Sequence, residues 1–205
     1  MRQLRSVTVY CSSSNHVAPV YFHAAKELGA AIAKHDWTLV YGGNAVGCMG
    51  ALADAARAAG GRVVGITPRA LVDKGISDRK CDELIVTDSM RQRKHLLEQR
   101  GDAFCVLPGG IGTFEEFFEI LVGRQLGYHD KPIVLLNVDG YYDPLLRMIA
   151  HGLELNFVRP RAAQLYSVAA TVAEAVEYLQ SHRPTSAPPS SDLSFEVVRS
   201  PAEVE

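Results

Sequence analysis

The residues with the clearest chemical potential are Pro108-Gly109-Gly110-Ile111-Gly112-Thr113-Phe114-Glu115-Glu116. An apolar run from Ala103 to Leu107 leads into them and reads as a strand covered on both faces. Gly109, Gly110 and Gly112 remove side chains where backbone N–H groups can approach an anion. Thr113 is expected to open a helix, whose N-terminus carries partial positive charge and free donors. A phosphate suits that combination. Thr113-x-x-Glu116 is also the text of a capping box, which would spend both side chains on the helix's own amides. Three glycines and a proline ahead of it tip the reading towards an anion site.

Three further stretches carry candidate chemistry. Arg93 and Lys94 fall in the first turn of a helix with Ser89 as its N-cap, where the macrodipole disfavours cations. A basic pair set against local preference asks for a functional reason; a solvated basic face is the plain alternative. Ser12, Ser13, Ser14 and Asn15 follow the first strand. Ser13 is a candidate phosphate ligand there, although loop serines also serve simply as turn formers. Gly42-Gly43-Asn44-Ala45-Val46-Gly47-Cys48-Met49-Gly50 is a second glycine-rich turn leading into a helix.

The elements that must position these residues alternate. Strands are predicted at 6–11, 37–41, 62–66, 83–87, 103–107, 133–137 and 165–168. Helices are predicted at 19–35, 51–59, from 89 onwards, from 113 onwards, 141–153 and 171–180. Residues 69–83 read as a surface loop with a short helix. Strands that are apolar throughout and alternate with helices mean an α/β fold, a Rossmann-like doubly wound parallel sheet in a single domain. Ligands bind beyond the carboxyl ends of such strands. All four chemical stretches fall at or near those ends, so they are expected to share one crevice. The domain is assigned to residues 1–183. The Pro-Thr-Ser-rich stretch 184–205 is expected to be a disordered tail.

Composition narrows the function. The 205 residues are 47% hydrophobic with a net charge of −2. That suits one globular domain and gives no electrostatic case for nucleic acid or an anionic membrane. No apolar stretch approaches the roughly 18 residues of a membrane span, and the N-terminus lacks the pattern of a signal peptide. The scattered cysteines Cys11, Cys48, Cys81 and Cys105 read as reduced thiols of a cytoplasmic protein, with no metal site. A dinucleotide fingerprint fails because Glu115 stands where the third glycine belongs, and the Gly42 turn has the wrong spacing. A P-loop fails because Gly47 is followed by Cys48 and Met49. A sugar or nucleotide monophosphate remains.

Pro108-Gly109-Gly110-Ile111-Gly112-Thr113-Phe114-Glu115-Glu116 resembles the PGGxGTxxE motif of the Lonely Guy family, and Met90-Arg91-Gln92-Arg93-Lys94 its MHxRK motif. Leu39 to Gly43, Gln125 to Pro132 and Leu136 to Tyr142 are similar to its text as well. The similarity runs in order over about residues 5–182, with three departures: Arg91 for the usual histidine, Asn44 for a glycine and Cys48 for a leucine. The resemblance implies hydrolysis of the N-glycosidic bond of nucleoside 5′-monophosphates, N6-modified adenine nucleotides and AMP, without a required cofactor, in a homodimer or a higher oligomer assembled from dimers, whose partner chain helps complete the site. It implies catalytic roles for Glu116 and Arg93. It implies substrate or phosphate contacts from Ser13, Gly43, Met90, Lys94, Gly109, Gly110, Gly112 and Thr113. Glu115 is expected to stay solvated, and Asp88 and Glu119 to belong to the polar rim. The rival readings are a carrier of a phosphorylated cofactor such as molybdenum cofactor, and a decarboxylase with pyridoxal phosphate on a lysine.

Overall fold

The computed structural model describes residues 4–182; the stretch 184–205, expected to form a tail, lies outside them. The strands are β1 (Ser6–Tyr10), β2 (Thr38–Tyr41), β3 (Val63–Pro68), β4 (Glu83–Thr87), β5 (Ala103–Val106), β6 (Ile133–Leu136) and β7 (Ser167–Ala169). The helices are α1 (Pro19–Lys34), α2 (Gly47–Ala58), α3 (Arg69–Asp73), α4 (Met90–Arg100), α5 (Ile111–Leu126), α6 (Asp143–Glu154) and α7 (Val172–Ser181). The seven strands form one sheet in the order β4-β3-β2-β1-β5-β6-β7. Every pairing is parallel.

Side-chain alternation divides the core in two. Val7 and Val9, Leu39 and Tyr41, Cys105, and Val134 and Leu136 face one layer with Leu28, Ile32 and Leu52 of α1 and α2 and Leu179 of α7. Tyr10, Val40, Phe104, Val106, Ile133 and Leu135 face the other, with Leu97 of α4, Phe117 and Ile120 of α5 and Ile149 of α6. Both faces are therefore dry, as the apolar strands require. The polar side chain in the middle of β1, Thr8, is fully buried and donates to the Leu97 carbonyl at 2.8 Å. The chain winds outwards from β1 to β4, then returns to lay β5 beside β1. That reversal opens the crevice of a doubly wound sheet between the carboxyl ends of β1 and β5.

Of the expected boundaries that move, two bear on the crevice. Helix α2 begins at Gly47, inside the second glycine turn, instead of at Ala51. The Asn15 side chain accepts the Gly47 amide at 2.8 Å and so satisfies one of the helix's first donors. Helix α5 begins at Ile111 with Gly110 as its N-cap, so Thr113 is its third residue and does not open it. The four cysteines are free thiols, three of them buried. Among the described residues no helix is long and apolar enough to cross a membrane.

His129 sets an acid limit on this fold. Its buried ring donates from Nε2 to the Ile120 carbonyl at 2.9 Å and accepts the Lys131 amide on Nδ1 at 3.2 Å. Burial lowers its pKa to about 4, from about 6.5 for an unfolded chain. Between those values the unfolded chain binds the extra proton, so stability falls as pH drops through that window. Denaturant midpoints measured from pH 7 to pH 4 are expected to fall less steeply in His129→Gln than in wild type.

Candidate active site

At the head of α5, Gly110 caps in an extended conformation without a side-chain bond. The first bond inside the helix runs from the Phe114 amide to the Gly110 carbonyl at 3.0 Å. The amides of Ile111, Gly112 and Thr113 precede it and form the donor end of the helix. The capping-box reading of Thr113 and Glu116 is thereby overturned. Glu116 does not turn back to the helix start. Its Oε1 accepts Arg93 Nη1 at 3.0 Å.

That ion pair joins α5 to α4, and almost all of it is dry: Arg93 is 4% exposed and Glu116 6%. The Ser89 side chain caps α4 by accepting the Gln92 amide at 3.2 Å, as the sequence predicts. Arg93 Nε donates to the Ile66 carbonyl of β3 at 3.1 Å. A Cβ on Gly42 would lie 2.2 Å from Arg93 Nη2, so a side chain there would displace the guanidinium from its present place. Burial lifts the Glu116 carboxyl above its usual range, against the downward pull of the adjacent guanidinium. Such a carboxyl can exchange a proton closer to neutrality than a free one.

The serine turn completes the convergence. Ser12 donates its amide to the Pro108 carbonyl at 3.2 Å, and its carbonyl accepts the Met49 amide at 3.3 Å. The ends of β1 and β5 and the start of α2 are thus laced together, as the shared crevice requires. A pocket of about 240 Å³ opens beside the turn, lined by Ser12, Ser14, Tyr21, Gly109, Gly110 and Tyr141 among others. Ser13 is exposed next to it, as are Gly110 and Gly112.

Several singled-out residues stand differently. Thr113 is buried, its hydroxyl packed over Gly109. Gly43 is buried against β3, and Met90 is exposed at the start of α4. Lys94 Nζ donates to Glu115 at 2.8 Å and reaches Glu119 at 3.2 Å, a second tie between α4 and α5. Glu115 stays exposed, but in an ion pair. Sequence reasoning did not single out Tyr21 or Tyr141 for the site. Tyr141 donates its hydroxyl to the Gly109 carbonyl, and its ring meets Tyr21 edge-on at 5.8 Å. The available signal was a tyrosine in the first turn of α1, beside a strand-end loop, where an aliphatic would serve the core equally well.

Removing one member of a buried pair strands the other charge, at a cost of about 3–5 kcal/mol. Arg93→Met is expected to destabilise the fold by that order at pH 8. The loss is smaller at pH 5, because the unpaired Glu116, its pKa raised further, takes a proton. Chemical denaturation at the two pH values reads the difference.

Residues 49–179 match a family model described as "possible lysine decarboxylase". A cytokinin riboside 5′-monophosphate phosphoribohydrolase of Mycobacterium tuberculosis is 46% identical over 171 residues, covering 83% of this chain and 91% of the relative. A protein of Oryza sativa subsp. japonica, named probable cytokinin riboside 5′-monophosphate phosphoribohydrolase, is 42% identical over 182 residues, covering 89% and 75%. Among solved structures, the molybdenum cofactor carrier protein of Chlamydomonas reinhardtii superposes with a TM-score of 0.65 at 26% identity, covering 86% of this chain and 95% of that one. Family model, relatives and the two motifs agree: the chain belongs to the Lonely Guy family, the family of the cytokinin riboside 5′-monophosphate phosphoribohydrolases.

Proposed function

We propose that this protein hydrolyses the N-glycosidic bond of adenosine 5′-monophosphates, including N6-modified ones, to the free base and ribose 5-phosphate. The observation that carries the reading is the buried Arg93–Glu116 pair beside the glycine turn at the switch point of the sheet. The names of the relatives support the substrate class.

The chemistry follows from the groups present. The 5′-phosphate is received by the α5 amides and the glycine turn, with Ser13 at the mouth of the pocket. The ribose then lies towards Glu116. As the bond from C1′ to the base nitrogen breaks, its electron pair leaves with the base and positive charge develops on the ribose ring. The Glu116 carboxylate stabilises that charge and orients the attacking water. Water supplies hydroxide to C1′ and its remaining proton ends on the departing base. Arg93 holds the carboxylate in place and offers its remaining N–H groups to the substrate. Lys94 acts through α4 and α5 more than on phosphate, because two carboxylates already engage its ammonium.

The same pairing argues against the decarboxylase reading. Its bonds to Glu115 and Glu119 hold the Lys94 pKa above the ordinary lysine value, whereas a Schiff-base lysine must lose its proton. No cofactor enters the proposed reaction.

The active form in this reading is a homodimer. Ile111, Val122 and Leu126 lie within about 60° of one another around α5, and all three are well exposed, as is Met90 of α4. An exposed apolar stripe that starts at the glycine turn and runs the length of α5 fits a second copy. Light scattering is expected to give a dimer mass for wild type and a monomer mass for Val122→Glu.

The activity is tested by chromatography of free base after incubation with AMP and with isopentenyladenosine monophosphate. Wild type is expected to release base. Glu116→Gln and Arg93→Ala are expected to lose about 100-fold or more, the scale of a removed transition-state contact. Tight binding of either nucleotide with no base released would replace this reading with the carrier.

A further inference from the structure

Three buried oxygens around the second glycine turn have no protein partner: Asn44 Oδ1, Thr67 Oγ1 and Ser77 Oγ. Their residues are 5%, 0% and 8% exposed. The backbone sets Asn44 against Ser77 and the neighbouring Gly43 against Thr67. Asn44 and Ser77 oppose each other in an isolated antiparallel bridge. It is flanked by bonds from the Ala45 amide to the Ile76 carbonyl at 2.9 Å and from the Asp78 amide to the Gly43 carbonyl at 2.8 Å. Directly opposed residues of such a pair project to the same side. Gly43, at a φ of +69°, packs so closely on β3 that a Cβ there would lie 3.2 Å from Thr67 Cβ.

A buried oxygen left without a hydrogen-bond partner gives up its hydration with nothing in return. Three around one turn weigh heavily on a marginally stable fold. The nearest acid gives no relief, since the Asp78 carboxylate already accepts Tyr41 Oη at 2.7 Å, Arg57 Nη1 at 2.8 Å and the Lys80 amide at 2.9 Å. An occupant must be small, because these oxygens are shut off from solvent. It must also donate hydrogen bonds. A monovalent cation would satisfy the oxygens but leave the Thr67 and Ser77 hydroxyl hydrogens without an acceptor, whereas water both donates and accepts. Water meets every requirement.

We infer that Asn44, Thr67 and Ser77 hold a buried ordered water, and that this water braces the turn behind Arg93. The two surfaces on which the guanidinium rests are Gly42 and the Ile66 carbonyl. Asn44 lies two residues beyond the first and Thr67 one residue beyond the second. A water shared by their side chains ties those surfaces together. Asn44 and Thr67 are then positioning residues, acting on the reaction through Arg93. The kinetic half of this inference rests on the proposed hydrolase activity; the structural half does not.

A high-resolution crystal structure of the wild-type protein is expected to show a water bonded to at least two of the three oxygens. Thr67→Val keeps the shape of the side chain and removes the hydroxyl. It is expected to lose that water and to lower kcat about tenfold with KM within about twofold, the mark of a misplaced catalytic group. Thr67→Ser is expected to restore both. Ser77→Ala, on the covering loop, gives an independent variant should Thr67→Val fail to fold. An empty site, or a bound metal ion in place of water, overturns the inference. An ordered water with unchanged kcat in the folded variants overturns the positioning role. Absence of base release in wild type would sink the hydrolase reading and leave the crystallographic result standing.

Discussion

The buried Arg93–Glu116 pair is the constraint on which the rest of this structure turns. Two charges cannot be taken out of water unless their hydrogen bonds are replaced within the protein. Each replacement here recruits a different element: Glu116 on α5, the Ile66 carbonyl on β3 and the bare backbone of Gly42 at the end of β2. The pair can form only if α4 and α5 lie side by side over the same edge of the crevice. Lys94 enforces that with its two carboxylates from α5. The inner pair carries the burden of burial, whereas the carboxylates that hold Lys94 are exposed, so the outer contacts contribute little energy and mainly alignment.

This arrangement holds Glu116 between opposing influences. Burial favours the neutral carboxyl, and the guanidinium favours the anion. Neither influence is free to vary, since the same packing that dries the site also fixes the guanidinium. A carboxylate in such a place is set by its surroundings instead of by solvent, which is what electrostatic preorganisation requires. Tyr141 extends the principle to the turn itself. Its hydroxyl on the Gly109 carbonyl and the Tyr142 hydroxyl on the Leu107 carbonyl at 2.7 Å pin the strand-to-turn backbone from below. The glycines are thus conformationally permissive residues held in one conformation by their neighbours.

Much of this was legible in the sequence because it rests on local rules. Apolar strands alternating with amphipathic helices dictate a covered parallel sheet, and the order of glycine, serine and basic stretches places them at strand ends. Ser89 as a cap follows from its chemistry alone. What escaped depends on contacts distant in sequence. Thr113 and Glu116 satisfy the capping-box spacing, yet Gly110 starts the helix three residues before Thr113 and an arginine 23 positions away claims Glu116. Lys94 reads as a free cation until α5 supplies two acids. Tyr21 fits the core periodicity of α1, and periodicity cannot tell a core position from the wall of a pocket. Asn44 sits in a glycine-rich turn with no local cost to mark it, since its isolation shows only when Ser77 is brought opposite it.

The likeness to a molybdenum cofactor carrier sharpens what the fold itself does and does not decide. A parallel sheet with a glycine turn at a helix N-terminus is sufficient to hold a phosphate. Nothing in that task calls for a dehydrated carboxylate. Burying an ion pair gives up hydration on both partners, and a well-packed apolar pair would be as stable or more so. A protein selected only to hold an anion beside this turn would gain more from a free arginine than from one committed to a glutamate. Under the proposed hydrolysis the Arg93–Glu116 pair has a reason, as a device for charge that appears during the reaction and is absent from the bound ground state.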